Sequence, residues 1–593
     1  MSRYFPLLLL SLIPLPVHAA SLQLCPGTPV ASPGAVVQSY TTPEGKRLSA
    51  IVTEAPGKPL PNCRVLPLDV AVTGIQAIHF LPPDARPGKT ILLRGVSQDK
   101  AFAVSEHLLP ADTPAPAAPA PLPFSTNLLA AMRVAPAGDA ARAQASLKDG
   151  RLHLQCRAGA APAGVALHGP WYPGRADAVL RAAHSGAGEF TWRAPQAGQD
   201  GPADTAASAR MMGRLGATRA TATTRLALPA DGARTGPVAF TLLCPPGEAH
   251  LTLHALTLEP GTEGKAAPRA SWAWSANEWR ERGAALLDWA AGEGIGEVFV
   301  NVPLRGERVA EPQALAAFVR AAGSRGIRVS AFEGDPRMVL PGARRDSSAL
   351  ARAYAAYNAA QTPQARLHAL QFDVDPAPLP AHVLAPEERG RRYLALAAAL
   401  RRAAGGVPLE FVVPAEWSSQ PGLLRELARH ADALTVKVYR TDPEQIYRNA
   451  VPFLDWGAEH GKRVRIALEA GPVGALEQRR YLRVPAGVGT GIGTGMGTGA
   501  GDKARADDKG ERKGPRGDLL LFRIDGQPLV LLLKVPAAHP QAQAYAQDGS
   551  RTVEGAATSF HTDRRALREL LPRLERTFGA WDSFGGIAVH GLR

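Results

Sequence analysis

Residues 271–593 alternate between short apolar segments of β character and amphipathic helical segments, and this alternation restricts the folds open to the chain. Eight β-like segments with helical runs between nearly all of them are typical of a (β/α)8 barrel of the TIM type. An open doubly wound sheet is the alternative, less favoured because no Gly-rich phosphate turn follows the first strand. The predicted strands are 297–302, 327–333, 367–374, 408–413, 433–439, 463–469, 518–524 and 586–591.

The predicted barrel has a clear start and an irregular seventh unit. Ser275 and Glu278 have the spacing of a capping box, so a helix is expected from there to about residue 291. Asp525-Gly526 stands between two apolar runs and indicates a hairpin within the seventh unit. Residues 486–516 are Gly-rich and then highly charged, which predicts a disordered insertion in the barrel.

Two β-rich regions precede the barrel. Residues 21–109 predict a small β domain, and the Pro/Ala-rich residues 110–123 predict a linker. Residues 124–260 contain regularly spaced alternating strands, the pattern of a β-sandwich. A sandwich beside an enzyme often binds carbohydrate, and Trp171 and Tyr172 offer a stacking platform, although an ordinary core or loop position is the favoured interpretation of both.

The first 20 residues have the pattern of a secretory signal peptide. Arg3 precedes an apolar run over residues 5–15, and small residues suit cleavage after Ala19 or Ala20. No later stretch of about 20 apolar residues is present, so no membrane span is predicted. The expected location is therefore the bacterial periplasm or the outside of the cell.

The cysteine count fits an exported protein. Four cysteines allow three pairings, of which Cys25–Cys63 with Cys156–Cys244 keeps each disulfide within one predicted domain. None lies in a CxxC pattern, so neither zinc nor redox chemistry is predicted.

The formal net charge is +14, yet no Lys/Arg cluster is interleaved with aromatic residues, so nucleic-acid binding is not predicted. The charge favours proximity to anionic cell-surface polymers. The sequence contains no HExxH, GxSxG or P-loop motif and no EF-hand spacing, and we predict neither a cofactor nor a metal. The sequence makes no prediction of the oligomeric state.

Polar side chains stand where the predicted strands end. The active site of a (β/α)8 barrel lies at this carboxyl end, so these side chains are expected to converge on one face. The candidate catalytic carboxylates are Asp373, Asp375, Glu333 and Glu469, and the candidate substrate-binding residues are Trp417, Tyr439, Glu416, Asp335 and His590.

Paired carboxylates suit glycoside hydrolysis, which needs one protonated and one ionised carboxyl group beside the sugar bond. Asp375 is the expected acid, with Asp373 orienting it or tuning its pKa. Glu469, Glu333 or Glu416 would supply the second carboxylate. Trp417 and Tyr439 would stack on a sugar ring. The alternative for Asp373 is a structural ion pair with Lys437 or Arg328 inside the barrel.

Several segments carry a resemblance. The stretches 272-WAWSANEW-279, 332-FEGDP-336, 371-QFDVDP-376, 437-KVYRTDP-443, 466-IALEAGP-472 and 585-GGIAVHG-591 resemble an uncharacterised bacterial family with a glycoside-hydrolase-like barrel. More distantly, Asp373-Val374-Asp375 and Lys437-Val438-Tyr439 look similar to the Asp-x-Glu and Met-x-Tyr motifs of chitinase-type hydrolases. Asp375 and Lys437 are the two departures from those motifs. The resemblance covers residues 271–593 and implies a barrel that acts on glycans.

The sequence thus predicts an exported protein that acts on a polysaccharide or cell-envelope glycan by carboxylate acid/base chemistry. The alternative is a non-catalytic carbohydrate-binding or envelope-scaffold protein built on a former enzyme barrel. Two accessible carboxyl groups in one cleft would favour the enzyme, and carboxylates occupied by Lys437 and arginine partners would favour the alternative.

Overall fold

The computed structural model describes fifteen stretches of the chain. Outside them lie the predicted signal peptide up to residue 19, most of the predicted linker, and residues 486–515 of the predicted insertion. The described residues are 20–27, 36–41, 47–54, 62–81, 86–98, 101–108, 120–194, 210–228, 238–261, 267–379, 383–474, 476–485, 516–524, 526–553 and 557–593.

Among the described residues before the barrel, the regular secondary structure is almost entirely β-strand. The strands of the first stretch are β1 (Ala20–Pro26), β2 (Val36–Thr41), β3 (Arg47–Glu54), β4 (Arg64–Pro67), β5 (Ile75–Phe80), β6 (Thr90–Gln98) and β7 (Ala101–Leu108). Those of the second are β8 (Ala120–Pro121), β9 (Arg133–Gly138), β10 (Ala143–Lys148), β11 (Arg151–Cys156), β12 (Ala163–His168), β13 (Trp171–Tyr172), β14 (Ala178–Ala187), β15 (Phe190–Ala194), β16 (Arg210–Leu215), β17 (Thr218–Leu228), β18 (Ala239–Leu243) and β19 (Ala249–Pro260).

Strands and helices then alternate. The strands are β20 (Arg269–Ala273), β21 (Ile295–Val300), β22 (Leu304–Arg305), β23 (Arg308–Val309), β24 (Arg328–Glu333), β25 (Leu370–Phe372), β26 (Leu409–Pro414), β27 (Ala433–Lys437), β28 (Arg463–Glu469), β29 (Leu476–Arg483), β30 (Arg516–Ile524), β31 (Gln527–Ala538), β32 (Ala542–Val553) and β33 (Phe584–His590). The α-helices are α1 (Ala276–Arg280), α2 (Gly283–Gly292), α3 (Pro312–Gly323), α4 (Arg344–Ala360), α5 (Pro386–Ala403), α6 (Pro421–Leu427), α7 (Pro443–His460) and α8 (Arg564–Phe578).

The chain divides into two compact units, each built from separated segments. Unit 1 comprises Met1–Pro116, Leu379–Pro386 and Gly474–Glu554, and unit 2 comprises the remainder. Unit 1 contains a four-stranded sheet, β2-β3-β1-β4, and a seven-stranded antiparallel sheet, β5-β31-β30-β32-β29-β6-β7. The disulfide Cys25–Cys63 lies in this unit, as predicted.

Unit 2 begins with two five-stranded antiparallel sheets, β10-β11-β19-β14-β17 and β16-β15-β18-β12-β9, and the second predicted disulfide, Cys156–Cys244, lies here. Eight parallel strands then close into a barrel in the order β20-β21-β24-β25-β26-β27-β28-β33. The barrel and the antiparallel sheets before it confirm the predicted fold class. The predicted capping box is also present, because Asn277 N donates to Ser275 Oγ and Ser275 N donates to Glu278 Oε1, each at 3.3 Å.

One predicted barrel strand is wrong. Residues 518–524 belong to β30, which pairs with β31 and β32 in the sheet of unit 1. Its leucines are buried on both faces, since Leu520 lies in one apolar cluster and Leu521 in another, and such a strand looks like a central parallel strand from its sequence. The barrel reaches eight strands because β20, which precedes the first predicted strand, belongs to it. The hairpin predicted at residues 525–526 is confirmed by the pairing of Ile524 with Gln527.

The barrel interior has an apolar layer and a polar layer. The apolar layer contains Ala270, Trp272, Phe299, Phe332, Ala467 and Ala588. The polar layer contains a buried ion-pair group in which Arg465 contacts both Glu297 and Glu410. Gln371 links the two layers, because its side chain accepts from Trp272 Nε1 at 2.6 Å and donates to Glu410 Oε1 at 2.8 Å.

Candidate functional site

The alternation of strand side chains determines which polar groups reach the carboxyl end of the barrel. Gln371 points into the barrel, so Asp373, two residues further, continues on the same side. By the same rule, interior-facing Ala467 and Ala588 are followed by Glu469 and His590. These positions lie where the active site of this fold is normally built.

Lys437 bridges the two aspartates. Its Nζ lies 3.0 Å from Asp373 Oδ1 and 3.6 Å from Asp375 Oδ2, and the three side chains are between 17 and 27% exposed. Asp375 Oδ1 also accepts a hydrogen bond from Ala377 N at 3.0 Å. The shared ammonium offsets the repulsion between the carboxylates and leaves the trio with one net negative charge. The ion pair between Asp373 and Lys437, the structural alternative of the sequence analysis, is therefore present.

A buried hydroxyl lies close to this trio. Among the described residues Tyr393 Oη has no hydrogen-bond partner, and burial raises the pKa of Tyr393, with further contributions from Asp373 and Asp375. The Tyr393 ring packs edge-to-face on Trp417, with ring centroids 4.7 Å apart. Nothing in the sequence singles out Tyr393, because an aromatic residue on an amphipathic helix is normally part of the core.

Glu469 and His590 form a second polar pair on neighbouring strands. His590 Nδ1 lies 2.5 Å from Glu469 Oε2, and Glu469 Oε1 accepts from Gly471 N at 2.6 Å. Because a carboxylate can only accept, Nδ1 carries the proton, and in the neutral ring Nε2 is the free acceptor. The imidazole is thereby held in one orientation.

Aromatic rings border this pair. Trp274 contacts His590 edge-to-face at 5.1 Å, and Tyr439 stacks on the other side at 6.4 Å. Trp274 is 50% exposed. Burial raises the pKa of Tyr439, as do the nearby charges of Glu469 and Asp373, so its hydroxyl remains protonated. A half-exposed indole beside polar groups is the feature that the sequence did not reveal.

Glu333 lies away from this group. Its neighbour Phe332 faces the barrel interior, so Glu333 points outward, where it accepts a hydrogen bond from Tyr354 of α4. Burial raises the pKa of Glu333 to about 7, and the hydrogen bond from Tyr354 acts in the opposite direction. Glu333 is thus a half-buried carboxyl group between a strand and a helix.

The other three predicted site residues also lie apart from the strand-end cluster, which we define as Trp274, Asp373, Asp375, Lys437, Tyr439, Glu469 and His590. Asp335 caps a short 3-10 helix and pairs with Arg337 at 2.8 Å. Glu416 is exposed, and Trp417 is buried with its ring against Tyr393. Within the described part of the chain, no group of three or more metal-ligating side chains is present.

No protein-family model matches the chain, and no match was found among curated proteins. Among solved structures, the CBM22-1–GH10 modules of Clostridium thermocellum xylanase 10B share 8% identity over 58% of this chain and 80% of theirs, with a TM-score of 0.25. Catalytic domain 2 of Ostrinia furnacalis Group II chitinase shares 13% identity over 55% of this chain and 89% of its own, with a TM-score of 0.28. A family 29 carbohydrate-binding module from Piromyces equi shares 12% identity over 21% of this chain and 79% of its own, with a TM-score of 0.17. Similarities this distant assign no function to the chain.

Proposed function

We propose that the strand-end cluster binds a glycan. The observation that carries the proposal is Trp274, a half-exposed indole that stands next to the Glu469–His590 pair at the end of a barrel where Asp373, Asp375 and Lys437 also meet. An exposed aromatic face suits the apolar face of a sugar ring, and fixed donors and acceptors around it suit hydroxyl groups.

Binding is better supported than hydrolysis by carboxylate acid catalysis. The predicted acid, Asp375, shares Lys437 with Asp373, and a general acid must instead hold a proton that it can release to the leaving oxygen. Glu469 has both carboxylate oxygens occupied, by His590 and by Gly471 N. The carboxylates of the cluster therefore have the partners expected of a binding site.

Hydrolysis remains the second candidate because the Glu469–His590 pair has the form of an oriented base. A carboxylate that holds Nδ1–H leaves Nε2 able to take a proton from water. In that case water adds across the glycosidic bond, and Asp375 is the proposed acid with Asp373 tuning it.

Binding of the purified full-length chain to a panel of polysaccharides, measured by affinity electrophoresis together with reducing-sugar release, tests both functions. Trp274→Ala should weaken binding by tenfold or more, because the stacking surface is lost. Trp171→Ala, on the short parallel pair β8–β13, is the matched control at the predicted second platform. Binding lost only in Trp171→Ala would place the glycan there and would contradict the proposal.

The proposal extends to the place of action. Two disulfides are typical of proteins that fold in oxidising compartments, and the predicted signal peptide directs the chain to the periplasm or beyond. In the described part of the chain, no helix is both long enough and apolar enough to cross a bilayer. The proposed partner is a cell-envelope or extracellular polysaccharide, and the sheets within residues 124–260 are proposed as an additional carbohydrate-binding module.

A further inference from the structure

A cavity of about 170 Å³ lies at the end of the barrel opposite the strand-end cluster. It is formed where strands begin, and its lining is rich in cationic side chains. The charged and titratable residues that line it are Arg328, His368, Glu410, Asp432, Arg463 and Arg465.

Arg465 presents unsatisfied donors in this region. Its side chain is only 8% exposed, its Nη2 donates to Glu297 Oε2 at 2.9 Å, and its Nε donates to Glu410 Oε1 at 3.3 Å. The third nitrogen, Nη1, is buried and has no partner among the described residues. The ring of Phe299 lies 5.3 Å from the guanidinium carbon and covers one side of it. A buried N–H without an acceptor costs free energy, so an acceptor that enters the cavity would be stabilised there.

Each of the three carboxylates near the cavity pairs with at least one arginine. Glu297 accepts from Ser330 and pairs with Arg328 as well as Arg465. Glu410 Oε1 accepts from Gln371 and Thr435 in addition to Arg465. Asp432 Oδ2 accepts from Arg401 Nη1 at 2.7 Å and from Leu409 N at 2.8 Å.

Arg463 carries a positive charge that these three carboxylates do not compensate. Four arginines, namely 328, 401, 463 and 465, face three carboxylates. Arg463 Nη1 donates a hydrogen bond to the backbone carbonyl of Asp582 at 3.3 Å, and this carbonyl is a neutral acceptor. The cavity lining thus includes one arginine, Arg463, that is bonded to a neutral acceptor and another, Arg465, with one buried, unpartnered guanidinium nitrogen.

We propose that this cavity binds a small oxyanion such as phosphate or sulfate. One oxygen accepts from Arg465 Nη1 and a second accepts from Arg463, because a guanidinium binds tetrahedral oxyanions through several N–H groups. A cavity of about 170 Å³ accommodates a compact anion. The site is independent of the glycan-binding proposal and lies at the other end of the barrel.

The test is titration calorimetry of the full-length protein with sodium phosphate and with sodium sulfate, at an ionic strength held constant with sodium chloride. Arg463→Gln removes the excess charge at an exposed position. Changing Arg465 would instead leave the buried Glu410 without its arginine and Glu297 with Arg328 alone, which risks unfolding. Arg425→Gln, an exposed arginine of α6 outside the cavity, is the matched control for loss of one positive charge.

Saturable binding of one oxyanion per chain is expected, at least tenfold weaker in Arg463→Gln and unchanged in Arg425→Gln. A circular-dichroism melt of each variant shows that the fold is retained. No saturable heat with either oxyanion would overturn the proposal, as would equal weakening in the two variants, which would indicate a nonspecific charge effect.

Discussion

At the scale of single residues, Lys437 determines the state of the carboxyl end of the barrel. Its ammonium stands between Asp373 and Asp375, and without it two carboxylates would face each other close to a buried tyrosine. The sequence shows that the three residues lie at strand ends, but not that one lysine would serve both acids. The pairing depends on side-chain distances between residues that are far apart in the sequence, since Asp373 and Lys437 are separated by 64 positions.

Lys437→Met should destabilise the protein at pH 7 by roughly 1–3 kcal/mol, somewhat less than a fully buried pair would lose, because the trio is partly exposed. The double variant Lys437→Met/Asp373→Asn should recover part of the loss, because it removes the repulsion between the two carboxylates. Urea unfolding of the wild type and both variants at pH 7 measures this. An unchanged midpoint in Lys437→Met would show that the bridge contributes nothing.

Glu333 gives a pH-dependent prediction with a definite sign. Its folded pKa of about 7 lies above the ordinary value of 4.5, so the folded state holds the proton more tightly than the unfolded state does. This contribution is fully present at pH values below about 4.5 and is lost as the pH rises to about 7. Glu333→Gln, which cannot ionise, should therefore be more stable than wild type at pH 8, by roughly 1–3 kcal/mol.

Thermal melts from pH 4 to pH 8 provide the measurement, with the exposed Glu416→Gln as the matched control. The difference between Glu333→Gln and wild type should grow as the pH rises, and the difference for Glu416→Gln should stay flat. A pH-independent difference for Glu333→Gln would mean that burial does not perturb this carboxyl group.

At the scale of elements, the sequence identifies where strands lie more readily than it identifies the sheet that each strand joins. β28 has the predicted bounds, because a buried apolar run bounded by turns is readable locally. β30 was assigned to the wrong sheet, since its two buried faces contact different apolar clusters that the sequence cannot distinguish. β20 is absent from the predicted strands, although it is as long as β27.

The same limit applies to the candidate site. Alternation along a strand correctly predicts that Asp373, Glu469 and His590 share the barrel end. It does not predict that Glu333 faces α4. Alternation shows only that neighbouring residues point to opposite sides of a strand, and which of the two sides faces the barrel interior has to be known separately. The exposure of Trp274 depends on how the loops leave the ring uncovered, which has no local signature.

The connection between β29 and β30 gives a prediction at this scale. Arg483 and Leu519 both pair with Tyr545, on opposite sides of β32, so the strands that flank residues 486–515 lie about 10 Å apart in the sheet. A Gly/Ser linker of about ten residues can span this connection. Replacing residues 486–515 by such a linker should leave the melting temperature unchanged within error, because the removed sequence has almost no apolar side chains to bury. A loss of several degrees would show that the segment packs.

At the scale of the whole molecule, unit 1 is built from chain segments that come before and after most of the barrel. β29–β32 form a sheet with β5, β6 and β7, and residues such as Ile91 and Leu93 complete one of its apolar clusters. A fragment that begins at residue 117 therefore keeps β29–β32 without β5, β6 and β7. This leaves β29 and β31 as uncovered sheet edges, and such edges are aggregation-prone. The predicted barrel domain, residues 271–593, therefore includes a segment, Gly474–Glu554, that belongs to unit 1.

A pair of fragments tests this arrangement. Residues 117–593 should aggregate on expression, whereas the same fragment with residues 474–554 replaced by a short Gly/Ser linker should be monodisperse. The excision is geometrically feasible because Leu476 pairs with Val553, so the two cut ends are adjacent. Size-exclusion chromatography with near-ultraviolet circular dichroism distinguishes the outcomes, and a well-behaved intact 117–593 fragment would contradict the division into units.

Glycan binding at the strand-end cluster is the central claim, and hydrogen-exchange mass spectrometry of the full-length protein with and without a saturating polysaccharide tests it most directly. Bound sugar should slow exchange in the backbone that carries the cluster, namely residues 272–279, 371–376, 437–443, 466–472 and 585–591, because a ligand lowers the opening of the segments it contacts. Trp274→Ala should lose this protection at the same polysaccharide concentration. Protection confined to residues 124–260, or equal protection in wild type and Trp274→Ala, would contradict the account.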